Sequence, residues 1–119
     1  MERENLMRKV DLAFLSAFYG GMLTEKQRQV LSLHCEEDLS LGEIAAETGI
    51  SRQAVHETLC RAASRLSEME ASLGAAERFR RVQDGLAEAL SAIRSKDYPR
   101  AEQILTELLS SEQEESNGI

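Results

Sequence analysis

The sequence predicts an all-α protein, a helix-turn-helix domain of three or four helices followed by a C-terminal helical hairpin. Three observations carry that prediction. Ala, Leu, Glu, Arg and Ser dominate the 119 residues, with one proline and no tryptophan, a composition rich in helix formers. Thr24 with Gln27, and Ser40 with Glu43, each have the form of a capping box ahead of an apolar-periodic run. Ala45, Gly49 and Val55 then stand four and six residues apart, the spacing at which a helix-turn-helix needs a small residue, a sharp turn and an apolar anchor.

The elements follow in order. Leu6, Val10, Phe14 and Phe18, with Ala13 and Ala17, share a face at helical spacing and predict a first helix over residues 3–18. Gly20-Gly21 breaks it. A second helix starts after Thr24, turns Val30, Leu31 and Leu33 inward, and ends near Glu37 or Asp38. A short third helix runs from Ser40 to about Thr48, and Gly49 fits the left-handed position that follows. Ser51 caps the fourth helix. Val55, Leu59, Ala62, Leu66, Met69 and Leu73 form a heptad seam along it, and Gly74 ends or bends it. The seam reads as the core stripe of one chain or as the interface of a homodimer, and the length of the helix, which outruns a small domain, leans the expectation to the homodimer. Phe79, Val82, Leu86, Leu90 and Ile93 continue a helical stripe, residues 95–99 make a turn, and Pro99 suits the first position of a last helix carrying Ala101, Ile104, Leu105, Leu108 and Leu109. The expected organisation is residues 1–74 as the helix-turn-helix domain, 75–110 as the hairpin, and 111–119, SEQEESNGI, as a disordered acidic tail.

The helix-turn-helix places its candidate binding residues. The exposed face of the fourth helix is expected to show Ser51, Arg52, Gln53, His56 and Glu57. Arg52 and Gln53 are types that reach base edges, and Ser51 can bond a phosphate. Arg61 and Arg65 lie four apart on one flank, within reach of a backbone, whereas Glu57 would repel phosphate. Lys26 and Arg28 of the second helix complete the candidate set.

Charge constrains the partner. The chain carries 14 basic and 21 acidic side chains, a net charge of −7, and residues 24–74 alone sum to −4. Phosphate neutralisation supplies most non-specific nucleic-acid affinity, so this balance argues against a stand-alone DNA binder while leaving room for a local basic face. The N-terminus lacks the shape of a signal peptide, and no stretch approaches 18 apolar residues, so a cytoplasmic protein without membrane insertion is expected. Cys35 and Cys60 are not in a CxxC pair and read as free thiols. His34, Cys35, His56 and Cys60 invite a zinc reading. Adjacent His34 and Cys35 can hardly face one ion, so no metal and no cofactor is expected. No nucleophile, base and orienting group can be named together, so no enzyme is expected.

At this point the residues resemble a known family. LTEKQRQVLSLHCEEDLSLGEIAAETGISRQAVHETLCRA resembles region 4 of bacterial sigma-70-type factors, where a similar pattern reads promoter DNA. Residues 18–74 resemble the YlxM-like family of small bacterial helix-turn-helix proteins. The markers are Phe18-Tyr19-Gly20, Leu23-Thr24, Lys26-Gln27-Arg28, the Asp38-Leu39-Ser40 step and Ser51-Arg52-Gln53-Ala54-Val55. His56 departs from the family, whose members often have a tyrosine there. The segment AIRSKDYPRAEQILTELL has the shape of a tetratricopeptide-like hairpin, although one copy makes no array. The resemblance implies a regulatory or accessory role in the signal recognition particle pathway, through the particle's GTPase, its RNA, or both. The alternative from the residues is a sequence-specific transcription regulator that reads DNA with residues 51–65, and a third reading is a protein-interaction module alone.

Overall fold

The structure, a computed structural model, describes residues 8–117. They form six helices: α1 Lys9–Tyr19, α2 Glu25–Cys35, α3 Leu41–Thr48, α4 Arg52–Leu73, α5 Ala75–Arg94 and α6 Tyr98–Asn117. A short 3-10 turn, Gly20–Met22, follows α1. No strand occurs among the described residues. The chain divides into two units, Met1–Ala76 and Glu77–Ile119.

In the first unit α1, α2 and α3 each pack on α4. Local chemistry fixes where the helices begin. The Thr24 hydroxyl accepts from the Gln27 amide at 3.1 Å while the Gln27 side chain accepts from the Thr24 amide at 3.0 Å. Ser40 and Glu43 repeat the exchange at 3.1 and 2.8 Å, and the Ser51 hydroxyl accepts from the Ala54 amide at 3.0 Å. Each cap satisfies amides that the helix itself leaves open, a stabilisation of about 1 kcal/mol apiece.

Packing then selects the faces. Val55, Leu59, Ala62, Leu66 and Met69 are buried along α4 against Val30 and Leu31 of α2 and Ile44 of α3. Removing a Leu, Ile or Val side chain of this kind from water is worth about 1.5–3 kcal/mol. The heptad seam is therefore the core stripe of a single chain, covered by that chain's own helices. It is not a free dimer surface, and only Leu73 at its end is exposed.

Three expectations need correction here. The face of α1 turned to the core carries Leu12, Leu15 and Tyr19 rather than Val10, Phe14 and Phe18. Phe14 and Phe18 pack edge-to-face at the margin of the core, their centroids 5.3 Å apart, and Val10, Ala13 and Ala17 are exposed. Leu6 lies outside the described residues. α2 ends at Cys35, short of Glu37. Asp38 has a left-handed φ of 56°, which aspartate tolerates, and the Leu39 amide returns to the Leu33 carbonyl at 3.1 Å. α6 begins at Tyr98, so Pro99 takes the second helical position, where its missing N–H again costs nothing.

The second unit is a hairpin of α5 and α6. The Asp97 side chain caps α6 through the Arg100 amide at 3.3 Å, and Arg100 bridges back to Glu88 at 2.9 Å. Its buried residues are small: Ala89, Ala92 and Ala101. Gly85 allows a close approach: a Cβ there would lie 2.6 Å from Leu108 Cδ1, so the leucine side chain would have to shift. Most of the large apolar residues of the stripe sit outside this seam, Val82 being half-buried and Leu86, Leu90 and Ile93 exposed. Residues 111–117, expected as a disordered tail, continue α6 as helix. Glu, Gln and Ser carry no helix breaker in that stretch.

Candidate nucleic-acid interface

The turn between α3 and α4 rests on two residues. Gly49 adopts φ 78°, a conformation that costs a side-chain-bearing residue strain, and its amide bonds the Ala45 carbonyl at 2.9 Å. Ala45 and Ile50 pack against the core next to fully buried Ile44 and Val55. The turn thereby joins two helices that pack on each other, and the start of α4 is presented to solvent.

Ser51, Arg52 and Gln53 are all exposed at that start. The first turn of α4 contains no acidic residue, whereas α2 and α3 carry Glu25 and Glu43 in theirs. The positive end of the α4 dipole is therefore not offset by its own first turn, and Arg52 adds to it. Ser51 uses an oxygen lone pair as the cap, which leaves its hydroxyl hydrogen free to donate outward.

Farther along α4 the candidates separate. At about 100° per residue, Arg52 and His56 form one row, Gln53, Glu57 and Arg61 a second, and Arg65 lies about 140° around the axis from Arg52. Arg61 and Arg65 are exposed neighbours about 40° apart. His56, expected to be exposed, is half-buried, and Cys60 Sγ lies 3.8–3.9 Å from its two ring nitrogens. Glu57 is exposed between Gln53 and Arg61, and exposed Glu68 follows on the same side. Cationic surface on α4 is thus confined to its first turn and to the Arg61–Arg65 flank.

Lys26 and Arg28 are exposed on α2 but two residues apart, so they point to different sides of that helix. Lys26 donates to Gln29 at 3.3 Å, and Arg28 lines a groove of about 530 Å³ bounded by Ala17 and Gly21 on one side and Ser32 on the other. The structure does not gather them into one patch.

Sequence reasoning missed a clasp beneath α4. The buried Tyr19 hydroxyl donates to Glu70 Oε1 at 2.6 Å and accepts from the Ala75 amide at 2.9 Å; Glu70 Oε1 also accepts from the Ala76 amide at 3.1 Å. Gly74, with φ 64°, separates α4 from α5 at this point. The opening amides of α5 are therefore capped by residues of α1 and α4. Burial, and then the hydrogen bond to Glu70, push the Tyr19 phenol above its ordinary value. No local signal could reveal a pairing across 51 residues.

The four His and Cys residues stay in two pairs on α2 and α4. Burial, followed by Lys9, holds His34 below its ordinary value, and burial pushes the Cys35 thiol up. Among the described residues no group of three or more His, Cys, Asp or Glu is placed to hold an ion.

Comparison with known proteins agrees with this geometry. The family model described as "Putative helix-turn-helix protein, YlxM / p13 like" matches residues 6–108. A "UPF0122 protein" of Desulforamulus reducens is 42% identical over 79 residues, 66% of this chain and 68% of the relative. One from Shouchella clausii is 42% identical over 90 residues, 76% and 83% of the two chains. One from Symbiobacterium thermophilum is 48% identical over 82 residues, 66% and 77% of the two.

Proposed function

The chain belongs to the YlxM / p13-like helix-turn-helix family, and from that footing we propose that it is a non-enzymatic accessory protein of the signal recognition particle pathway. In this reading it binds the particle's RNA, its GTPase or both, through the helix-turn-helix. The observation that carries the reading is the first turn of α4, where Ser51, Arg52 and Gln53 are exposed and which contains no acidic residue. That turn offers a phosphate one hydroxyl, one guanidinium and the positive end of a helix.

The rest of the unit limits what can be bound. Residues 24–74 sum to −4, and Glu57 faces outward one turn beyond Gln53. A surface that attracts phosphate at the first turn and at the Arg61–Arg65 flank, with Glu57 between them, suits a local contact on a ribonucleoprotein better than a long track along duplex DNA. The acidic remainder suits a basic protein partner. No helix among the described residues is long and apolar enough to cross a membrane, and the proposed place of action is the cytoplasm.

The test is a titration of the purified chain against reconstituted signal recognition particle with excess random duplex DNA present. Binding on the order of 1 μM or tighter that survives the competitor supports the accessory role. Binding erased by the competitor, or none, overturns it. A second reading, a DNA-binding transcription regulator, is favoured by one observation: Arg52 and Gln53 occupy the N-terminal positions from which a recognition helix touches base edges. It requires a selected DNA site whose binding falls about tenfold or more with Arg52→Ala, the loss of one bidentate base contact.

A further inference from the structure

The hairpin unit is built inside out for an isolated pair of helices. Its own seam is closed by Ala89, Ala92, Ala101 and by Gly85 against Leu108. Its large apolar side chains are turned away from that seam. Leu86, Leu90 and Ile93 of α5 and Tyr98, Leu105 and Leu109 of α6 are between 37% and 68% exposed. On α5 the three lie within about 60° of arc, and on α6 within about 40°. Val82 and Leu86 from one helix and Leu105, Leu108 and Leu109 from the other line a single groove of about 320 Å³, so the two stripes share one face. Two helices cannot bury such a face between themselves, and a further layer is needed to cover it.

We propose that the covering layer is the same face of a second copy of this chain, giving a two-fold, antiparallel four-helix bundle. Area is the first support. At roughly 200 Å² for a fully exposed large side chain, the six residues present about 600 Å² per copy; pairing two copies buries about 1,200 Å² before any rim is counted, within the range of specific interfaces. Charge is the second. Residues 94–100 at the hairpin tip sum to +2, through Arg94, Lys96 and Arg100 against Asp97. At the open end, residues 77–84 sum to +1 and residues 104–114 to −3. Antiparallel pairing sets the positive tip of each copy against the negative open end of the other, whereas parallel pairing sets like against like. The surface is also self-complementary, as a two-fold interface must be. This inference stands apart from the nucleic-acid reading, because it uses no residue before 77.

The experiment is sedimentation equilibrium of the full chain at concentrations up to ~100 μM. The mass expected is twice the 13.3 kDa of one chain. Leu109→Ser, at an exposed position where monomer folding is not at stake, raises the dimer dissociation constant by about tenfold or more. Leu86→Gln does the same, and far-ultraviolet circular dichroism of both variants confirms retained helix. Reversing the tip with Arg94→Glu and Lys96→Glu weakens the dimer, and adding Glu107→Lys and Glu114→Lys restores it. A mass of 13.3 kDa throughout would show that the face is covered within one chain or kept for a different protein, and would overturn the proposal. So would a dimer indifferent to both apolar variants. Failure of the charge swap to restore pairing overturns the antiparallel arrangement.

Discussion

Replacing Tyr19 by phenylalanine tests whether the clasp at Gly74 holds the first unit together. The ring stays, so the apolar burial of Tyr19, 3% exposed, is retained. The hydroxyl goes, and with it the 2.6 Å bond to Glu70 and the 2.9 Å bond from the Ala75 amide. A bond to a charged acceptor contributes about 1.5–3 kcal/mol and a neutral one about 0.5–1.5 kcal/mol. Glu70 and Ala75 are only half-buried, so water replaces part of what is lost. A net destabilisation of about 2 kcal/mol follows. Urea unfolding monitored by circular dichroism checks it: the midpoint falls by about 1 M with the slope unchanged. Amide exchange supplies a local readout, because Ala75 loses its acceptor and exchanges faster while Ala54, capped by Ser51, does not. A midpoint within about 0.2 M of the wild type, with exchange at Ala75 unaltered, would refute the reasoning.

The same tyrosine sets a pH dependence. Its folded value lies above the ordinary 10.0, so its contribution is complete below pH 10 and is lost as pH rises through the higher folded value; wild-type stability falls more steeply there than that of Tyr19→Phe in a denaturation series. His34 gives the opposite sign: held below 6.5 by burial and Lys9, it contributes above that pH and loses the contribution as pH falls through its folded value. Thermal melts from pH 7 to 5 therefore show a larger loss for the wild type than for His34→Gln. Gly49→Ala meets no atom within 4 Å and is strained by its φ of 78° alone, so it lowers stability by about 1–2 kcal/mol in urea unfolding. If the first turn of α4 binds phosphate as proposed, Glu57→Gln removes a repelling carboxylate from the exposed face and raises affinity for the particle's RNA about two- to tenfold at low salt, measured by anisotropy, with the gain shrinking as salt is added.

What was legible in the sequence was local. The capping boxes at Thr24 and Ser40, the cap at Ser51 and the left-handed Gly49 each depend on residues within about four positions, and each is present. Faces were harder. α1 reads LAFLSAF through its middle, apolar on nearly every side, so helical spacing admits more than one inward face. Tyr19 decides it by finding Glu70, a partner far along the chain. The α5–α6 seam was misleading for a related reason. Large side chains mark an apolar stripe, but close helix approach selects the small ones, Gly85, Ala89, Ala92 and Ala101. On α4 the exposure of Ser51, Arg52 and Gln53 followed from the cap, whereas half-burial of His56 depends on neighbours that the spacing does not reveal.

The left-handed residue between α4 and α5 also governs how a disturbance travels. An unbroken α-helix behaves as a shaft, since its i to i+4 bonds transmit rotation about the axis from end to end. At Gly74 the shaft is cut by one residue. A twist of α4 is therefore not carried past this point by its helical ladder. Tyr19 and Glu70 hold the two amides just beyond the break, Ala75 and Ala76, to α1 and α4 within the first unit.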